Sequence, residues 1–242
     1  MPDEKLPLTV HLEELRKRLI ISFIAIGIGS IFSYIFSKEI FKVLMLPLLG
    51  ILSPKNSIIF TGLTEAFVTY LKVSLVSGVF LASPVIIHQT WGFLAPGLYQ
   101  YEKRFFIPIV LFSTLLFIGG ALFGYFVIFP FGFKYFLSFA TDVIRPMPSL
   151  KEYFAFSVKL LFAFGIVFEL PLFVFFLSRL GIVSHHTLSS YRRYAILLIF
   201  ILAAVITPPD VVSQIMLGLP MILLYEIGII IAKLFGKERK RG

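Results

Sequence analysis

FAFSVKLLFAFGIVFELPLFVFFLS (Phe154–Ser178) decides how the chain folds. It is apolar over more than the ~20 residues needed to cross a bilayer, and Glu169 lies well inside it, two residues before Pro171. A carboxylate at that depth costs at least ~2.5 kcal/mol on insertion scales and normally faces a protein interior or a water-filled cavity. Pro171 removes a backbone donor and opens the bond to the carbonyl of Val167. A bent helix with an open carbonyl beside an acid makes a polar notch at membrane depth. The plainer alternative is a protonated glutamic acid hydrogen-bonded within a helix bundle.

The rest of the composition agrees with a membrane setting. Of the 242 residues, 58% are hydrophobic and 29 are phenylalanine; soluble domains stop at ~45–50% apolar. The expectation is an all-α integral membrane protein with no separate soluble domain. The absence of cysteine excludes disulfides, thiol nucleophiles and Cys-ligated metals. A net charge of +9 would suggest nucleic acid in a soluble protein; in a membrane protein it reads first as topology, so no nucleic acid is expected as a partner.

Working outward from that stretch, the apolar runs predict six spans, at about 19–36, 67–90, 105–128, 154–178, 194–207 and 213–233, in one membrane domain covering 1–242. Residues 1–18 precede the first. Leu8, Leu12, Leu15 and Leu19 form a stripe at helical spacing, with Thr9 as N-cap, so this segment reads as a cytoplasmic amphipathic helix running into span 1. The first apolar run lacks a small-residue cleavage pattern after it and reads as a retained span. FKVLMLPLLGIL, interrupted by Pro47, is too short to cross and reads as a surface or re-entrant helix. Pro84 kinks span 2, Pro130 closes span 3, and 131–153 reads as a long loop. Spans 5 and 6 are joined tightly through Thr207-Pro208-Pro209-Asp210, with Asp210 placed to cap span 6; both are expected to be short. An even number of spans puts both termini on one side. Fourteen of the 22 Lys and Arg fall on that side, which predicts that it is cytoplasmic.

No enzyme constellation is present. HExxH, GxSxG and Walker patterns are missing, and His185-His186 has no companion ligands nearby in sequence; no catalysis, metal or cofactor is expected. One function class consistent with the residues is an ion-coupled small-solute transporter with Glu169 as proton relay; another is a passive scaffold. On the cytoplasmic side Glu13 and Glu14 are at i,i+4 spacing from Lys17 and Arg18, which by itself predicts ordinary helix-surface pairing. Glu102, before span 3, suits the first turn of a helix through its dipole. Glu226 is a second acid within a span, near its cytoplasmic end, and Glu65 is placed to pair with Lys72 or Lys159.

Four motifs in order add a further reading. HLEELRKRL (His11–Leu19), FLAPGLYQYEKR (Phe93–Arg104), FGIVFELP (Phe164–Pro171) and TPPDVVSQ (Thr207–Gln214) resemble the TatC family, the receptor and core subunit of the twin-arginine protein translocase. The resemblance covers nearly the whole chain. It implies a glove-like bundle of six helices in the inner (cytoplasmic) membrane, with both termini cytoplasmic. The implied partners are twin-arginine signal peptides of folded cargo, TatA-like and TatB-like single-span subunits, further copies of the chain within the complex, and membrane lipids. The driving force would be the proton-motive force. By the same resemblance Glu14 and Glu102 are acceptors for the arginine pair, with Leu15, Arg16 and Phe93 shaping the site. Glu169 and Gln214 are intramembrane polar or partner-contact positions, and Pro47 and Pro84 are structural prolines. The chemistry is coherent, because a guanidinium pairs with a carboxylate through a planar fork that an ammonium lacks.

Overall fold

A computed structural model describes residues 8–52, 58–59, 62–94, 106–141, 146–207 and 210–236. These are built from α-helices, with an isolated parallel bridge between Ile59 and Ser149. In chain order the helices are α1 (Leu8–Ile35), α2 (Ser37–Leu49), α3 (Glu65–Leu94), α4 (Phe106–Phe123), a π-helical turn (Gly124–Ile128), α5 (Phe129–Leu137), α6 (Leu150–Phe168), α7 (Leu170–Arg179), α8 (His185–Ser190), α9 (Arg192–Ile206) and α10 (Val211–Phe235). Five stretches are long and apolar enough to cross a membrane: Val10–Ile35, Glu65–Leu94, Phe106–Leu137, Leu150–Arg179 and Val211–Phe235. The sixth expected span corresponds to α9, whose 15 residues reach ~22 Å at 1.5 Å per residue.

Several expected boundaries move. Thr9 lies inside α1, so it is not the N-cap. Helix α3 continues through Leu94, which turns Trp91, Gly92 and Phe93 from loop into the last turn of a helix. Pro130 does not close span 3. It falls at the first turn of α5, directly after the π turn, where the Phe129 N–H reaches back to the Gly124 carbonyl. The wider turn spares the helix the donor proline lacks, and the apolar helix runs on to Leu137. Nor is the last helix short: α10 has 25 residues, ~37 Å, so α9 alone of the pair falls below bilayer thickness. Asp210 does cap α10, accepting from the Ser213 N–H at 2.8 Å.

The chain forms two compact units, Met1–Phe41 with Phe67–Thr114, and Lys42–Ala66 with Leu115–Gly242. In the first, α1 crosses α3 with backbone nearly touching backbone. A Cβ on Gly78 would lie 2.5 Å from the Ser30 backbone nitrogen, and one on Gly29 would lie 2.8 Å from the Gly78 carbonyl oxygen. Small residues at a crossing let membrane helices gain van der Waals contact that side chains would block. Trp91 Nε1 donates to Ser113 Oγ at 2.9 Å, tying the end of α3 to the first half of α4.

The second unit is held by a different kind of core. Phe129, Phe133, Tyr153, Leu160, Phe164, Leu217, Met221 and Tyr225 belong to one buried cluster. Ring contacts run from Phe129 to Phe133 to Tyr153, with centroids 5.5 and 5.1 Å apart, and Phe123 packs on Phe164 and Phe168. Gly120 lets α4 approach α6, where a Cβ would meet the Phe164 carbonyl oxygen at 2.3 Å.

Two prolines inside helices are accommodated in the same way. Pro47 cannot donate to the Val43 carbonyl four residues back, and Tyr125 in the π turn donates its hydroxyl to that oxygen at 2.5 Å. Tyr153 does the same to the neighbouring Leu44 carbonyl at 2.5 Å. Pro84 likewise releases the Phe80 carbonyl, which accepts from Ser83 Oγ at 2.7 Å. Pro84 lies in a stretch apolar enough to cross, and at membrane depth a freed carbonyl needs such a donor because there is no water to supply one.

Candidate functional site

The elements nearest to a binding site in the first unit are the start of α1 and the end of α3. On α1, one turn separates Glu14 from Arg18, and the guanidinium grips one oxygen of the carboxylate: Nε is 3.0 Å and Nη2 2.7 Å from Glu14 Oε1. This is the i,i+4 pairing read from spacing. Its environment was not legible there. Arg18 Nη1 also donates to Gln89 Oε1 on α3 at 3.3 Å. The guanidinium lies so close over the buried Gly92 that a Cβ there would come within 2.2 Å of Nη1. His11, one turn before Leu15, stacks on Phe93 with centroids 4.3 Å apart and planes 26° from parallel. The two helices therefore present a half-buried carboxylate beside a stacked aromatic pair. Among the described residues, Glu14 Oε2 accepts no hydrogen bond.

Of the other residues predicted for this site, Leu15 is half-buried and Arg16 exposed. Glu102 lies outside the described residues. Sequence reasoning missed Gln89, Gly92 and His11. His11 opens the motif HLEELRKRL, which was a signal; Gln89 and Gly92 carry none.

The intramembrane positions belong to the second unit. Glu169 falls at the break between α6 and α7. Its N–H bonds three residues back to Ile166 at 3.1 Å, and its carbonyl accepts from Phe173. Pro171 occupies the first turn of α7, so the break has the cause anticipated from sequence. The Glu169 side chain is half-buried, with Oε1 shielded from the surface. Gln214 sits in the first turn of α10. The structure does not bring these two together: Leu170 meets α10 at Gly228, fourteen residues beyond Gln214 and so ~21 Å along the axis.

Glu226 does have a partner, from the neighbouring helix. Arg192 Nε lies 2.6 Å from Oε1 and its Nη2 donates to Oε2 at 2.9 Å, a fork on a carboxylate. Beside it Tyr225 donates to the Leu188 carbonyl at 2.7 Å. Glu65 binds the start of α6: Oε1 accepts from the Lys151 N–H at 3.0 Å and Ser149 Oγ at 3.2 Å, and Oε2 from the Gly62 N–H at 3.1 Å. Its carboxylate thus takes up a free helix N-terminal donor. Partial burial pushes the Asp210 carboxyl up, but the hydrogen bonds it accepts from Ser213 outweigh this and hold it below the usual range.

A family profile described as "Sec-independent protein translocase protein (TatC)" matches residues 10–220. The chain belongs to the TatC family. A Sec-independent protein translocase protein TatC from Desulforapulum autotrophicum is 53% identical over 237 residues, covering 98% of this chain and 88% of the relative. The Aquifex aeolicus protein of the same name is 43% identical, covering 97% and 98%. A crystal structure described as the twin-arginine translocase receptor TatC superposes with a TM-score of 0.85 at 43% identity, covering 93% of this chain and 98% of that one. The all-α, multi-pass membrane fold class read from the sequence stands, and the family places the chain in protein translocation. The solute-transporter alternative finds no support among these relatives.

Proposed function

We propose that the chain is the signal-peptide receptor of a twin-arginine translocase. It binds two adjacent arginines at its cytoplasmic face and acts with TatA-like and TatB-like subunits, and with further copies of itself, to pass folded proteins across the inner membrane on the proton-motive force. In this reading both termini are cytoplasmic and the chain performs no catalysis. Glu14 and Glu102 accept the two guanidinium groups, Phe93, Leu15 and Arg16 border them, and Glu169 and Gln214 serve contacts with partner helices within the membrane.

One observation carries the site assignment. The Glu14 carboxylate already holds a guanidinium in hydrogen-bonding geometry, next to an aromatic stack, on a half-buried surface. The same pocket chemistry suits an arginine arriving from outside. The test is binding of a labelled twin-arginine signal peptide to the chain in nanodiscs, beside a twin-lysine peptide. Selective binding abolished in a Glu14→Ala, Glu102→Ala double variant supports the assignment. Equal affinity for the two peptides refutes it.

A further inference from the structure

Arg18 is the feature of this site that the proposed function leaves unused. We infer that it is a positioning residue that sets the preference for guanidinium over ammonium, with Gln89 and Gly92 forming its seat. The inference rests on the proposed reading of Glu14 as an arginine acceptor.

Both Arg18 donors fall on Oε1 of Glu14, which leaves Oε2 as the acceptor still open among the described residues. The third contact, Nη1 to Gln89, comes from another helix, and the guanidinium rests against the face of α3 where Gly92 has no side chain. Arg18 is therefore anchored on α3 as well as on Glu14, and an incoming ligand meets a pair whose charges already offset each other. An ammonium is a compact point charge drawn mainly by net negative charge. A guanidinium binds through directed, planar hydrogen bonds. Neutralising the carboxylate while fixing its orientation weakens the first attraction far more than the second.

Gly92 follows from the same geometry. Any Cβ at this position displaces the guanidinium, which sits at the far end of a flexible side chain, so the substitution shifts the charge without forcing backbone apart.

The experiment measures affinities of twin-arginine and twin-lysine signal peptides for the full chain in nanodiscs, with thermal midpoints recorded for every variant. In Arg18→Gln and in Gly92→Ala the twin-arginine to twin-lysine affinity ratio is expected to fall about tenfold, the worth of one charge-assisted hydrogen bond, at an unchanged midpoint. In Arg18→Gln the fall includes a gain in twin-lysine affinity, which a merely structural role does not produce. An unchanged ratio in both variants, with Glu14→Gln still abolishing binding, overturns the role of Arg18 and leaves the receptor reading intact. A gain in twin-arginine affinity in Arg18→Gln also overturns it, since Arg18 would then be a competitor for Glu14. A wild-type chain that does not prefer the twin-arginine peptide removes the reading of Glu14 and this inference with it.

Discussion

In the first unit the apolar window of α1 is 6% buried, whereas in the second that of α10 is 39% buried and that of α6 with α7 is 33% buried. The two units solve the same problem with different chemistry. Helix α1 touches α3 through glycine, where backbone meets backbone at Gly29, Ser30 and Gly78, and leaves Phe23, Ile28, Ile31 and Ile35 exposed. The second unit buries large rings, Phe129 and Phe164 among them, almost completely. Between membrane helices, packing and hydrogen bonds replace the hydrophobic driving force. A helix with few buried side chains, as α1 is, therefore depends on how closely its backbone approaches its neighbour, and one with many depends on filled volume.

The sharpest way to break this contrast is to empty the second core. Phe164→Ala removes a ring that contacts Phe123 and packs against Gly124. A loss of about 3–5 kcal/mol is expected, read as a large drop in the thermal midpoint in detergent. The counterpart in the first unit adds volume instead. Gly78→Ala places a methyl against the Ser30 backbone, for an expected cost of about 1–3 kcal/mol. Hydrogen exchange should rise in α1 and α3 while α6 and α10 keep their protection; a uniform rise would mean that the units do not unfold separately.

Smaller effects test the polar devices of the second unit. Asp210→Ala removes the cap of α10 and is expected to cost about 1 kcal/mol. Because the Asp210 carboxyl is held below its usual range in the folded chain, its contribution is complete above the unfolded carboxylate pKa of ~3.9 and is lost as pH falls through the lower folded value. Asp210→Asn, which still caps, should keep most of the stability at neutral pH and lose that acid-side dependence. Smallest is the Arg192–Glu226 pair, with side chains 46% and 35% exposed. Arg192→Ala should shift stability by about 0.2–1 kcal/mol, and less in high salt.

Much of the architecture was legible because hydropathy and proline are local signals. The run around Glu169 identified a broken membrane helix, and Asp210 was recognisable as a cap from its place after two prolines. Glu14 with Arg18 followed from one turn of helical spacing. Pro130 misled for the same reason that proline usually informs: it stops a regular α-helix, and a π turn just before it removes the conflict. The end of span 2 was misjudged because WGFL beside a proline reads as a turn, while the Trp91 to Ser113 bond and the packing of Gly92 hold it helical.

By itself the sequence determined that this is a helical membrane protein of the TatC kind, which stretches are apolar enough to cross, and which acids stand out among them, because affinity for lipid is decided by each segment's own composition. Only the tertiary structure decided what those acids and prolines meet: Arg18 seated by Gln89 across 71 positions, Glu226 by Arg192 across 34, and the carbonyl freed by Pro47 by Tyr125 across 82. Each of those contacts depends on where one helix passes another, and a crossing point is a property of the packed pair that neither segment carries alone.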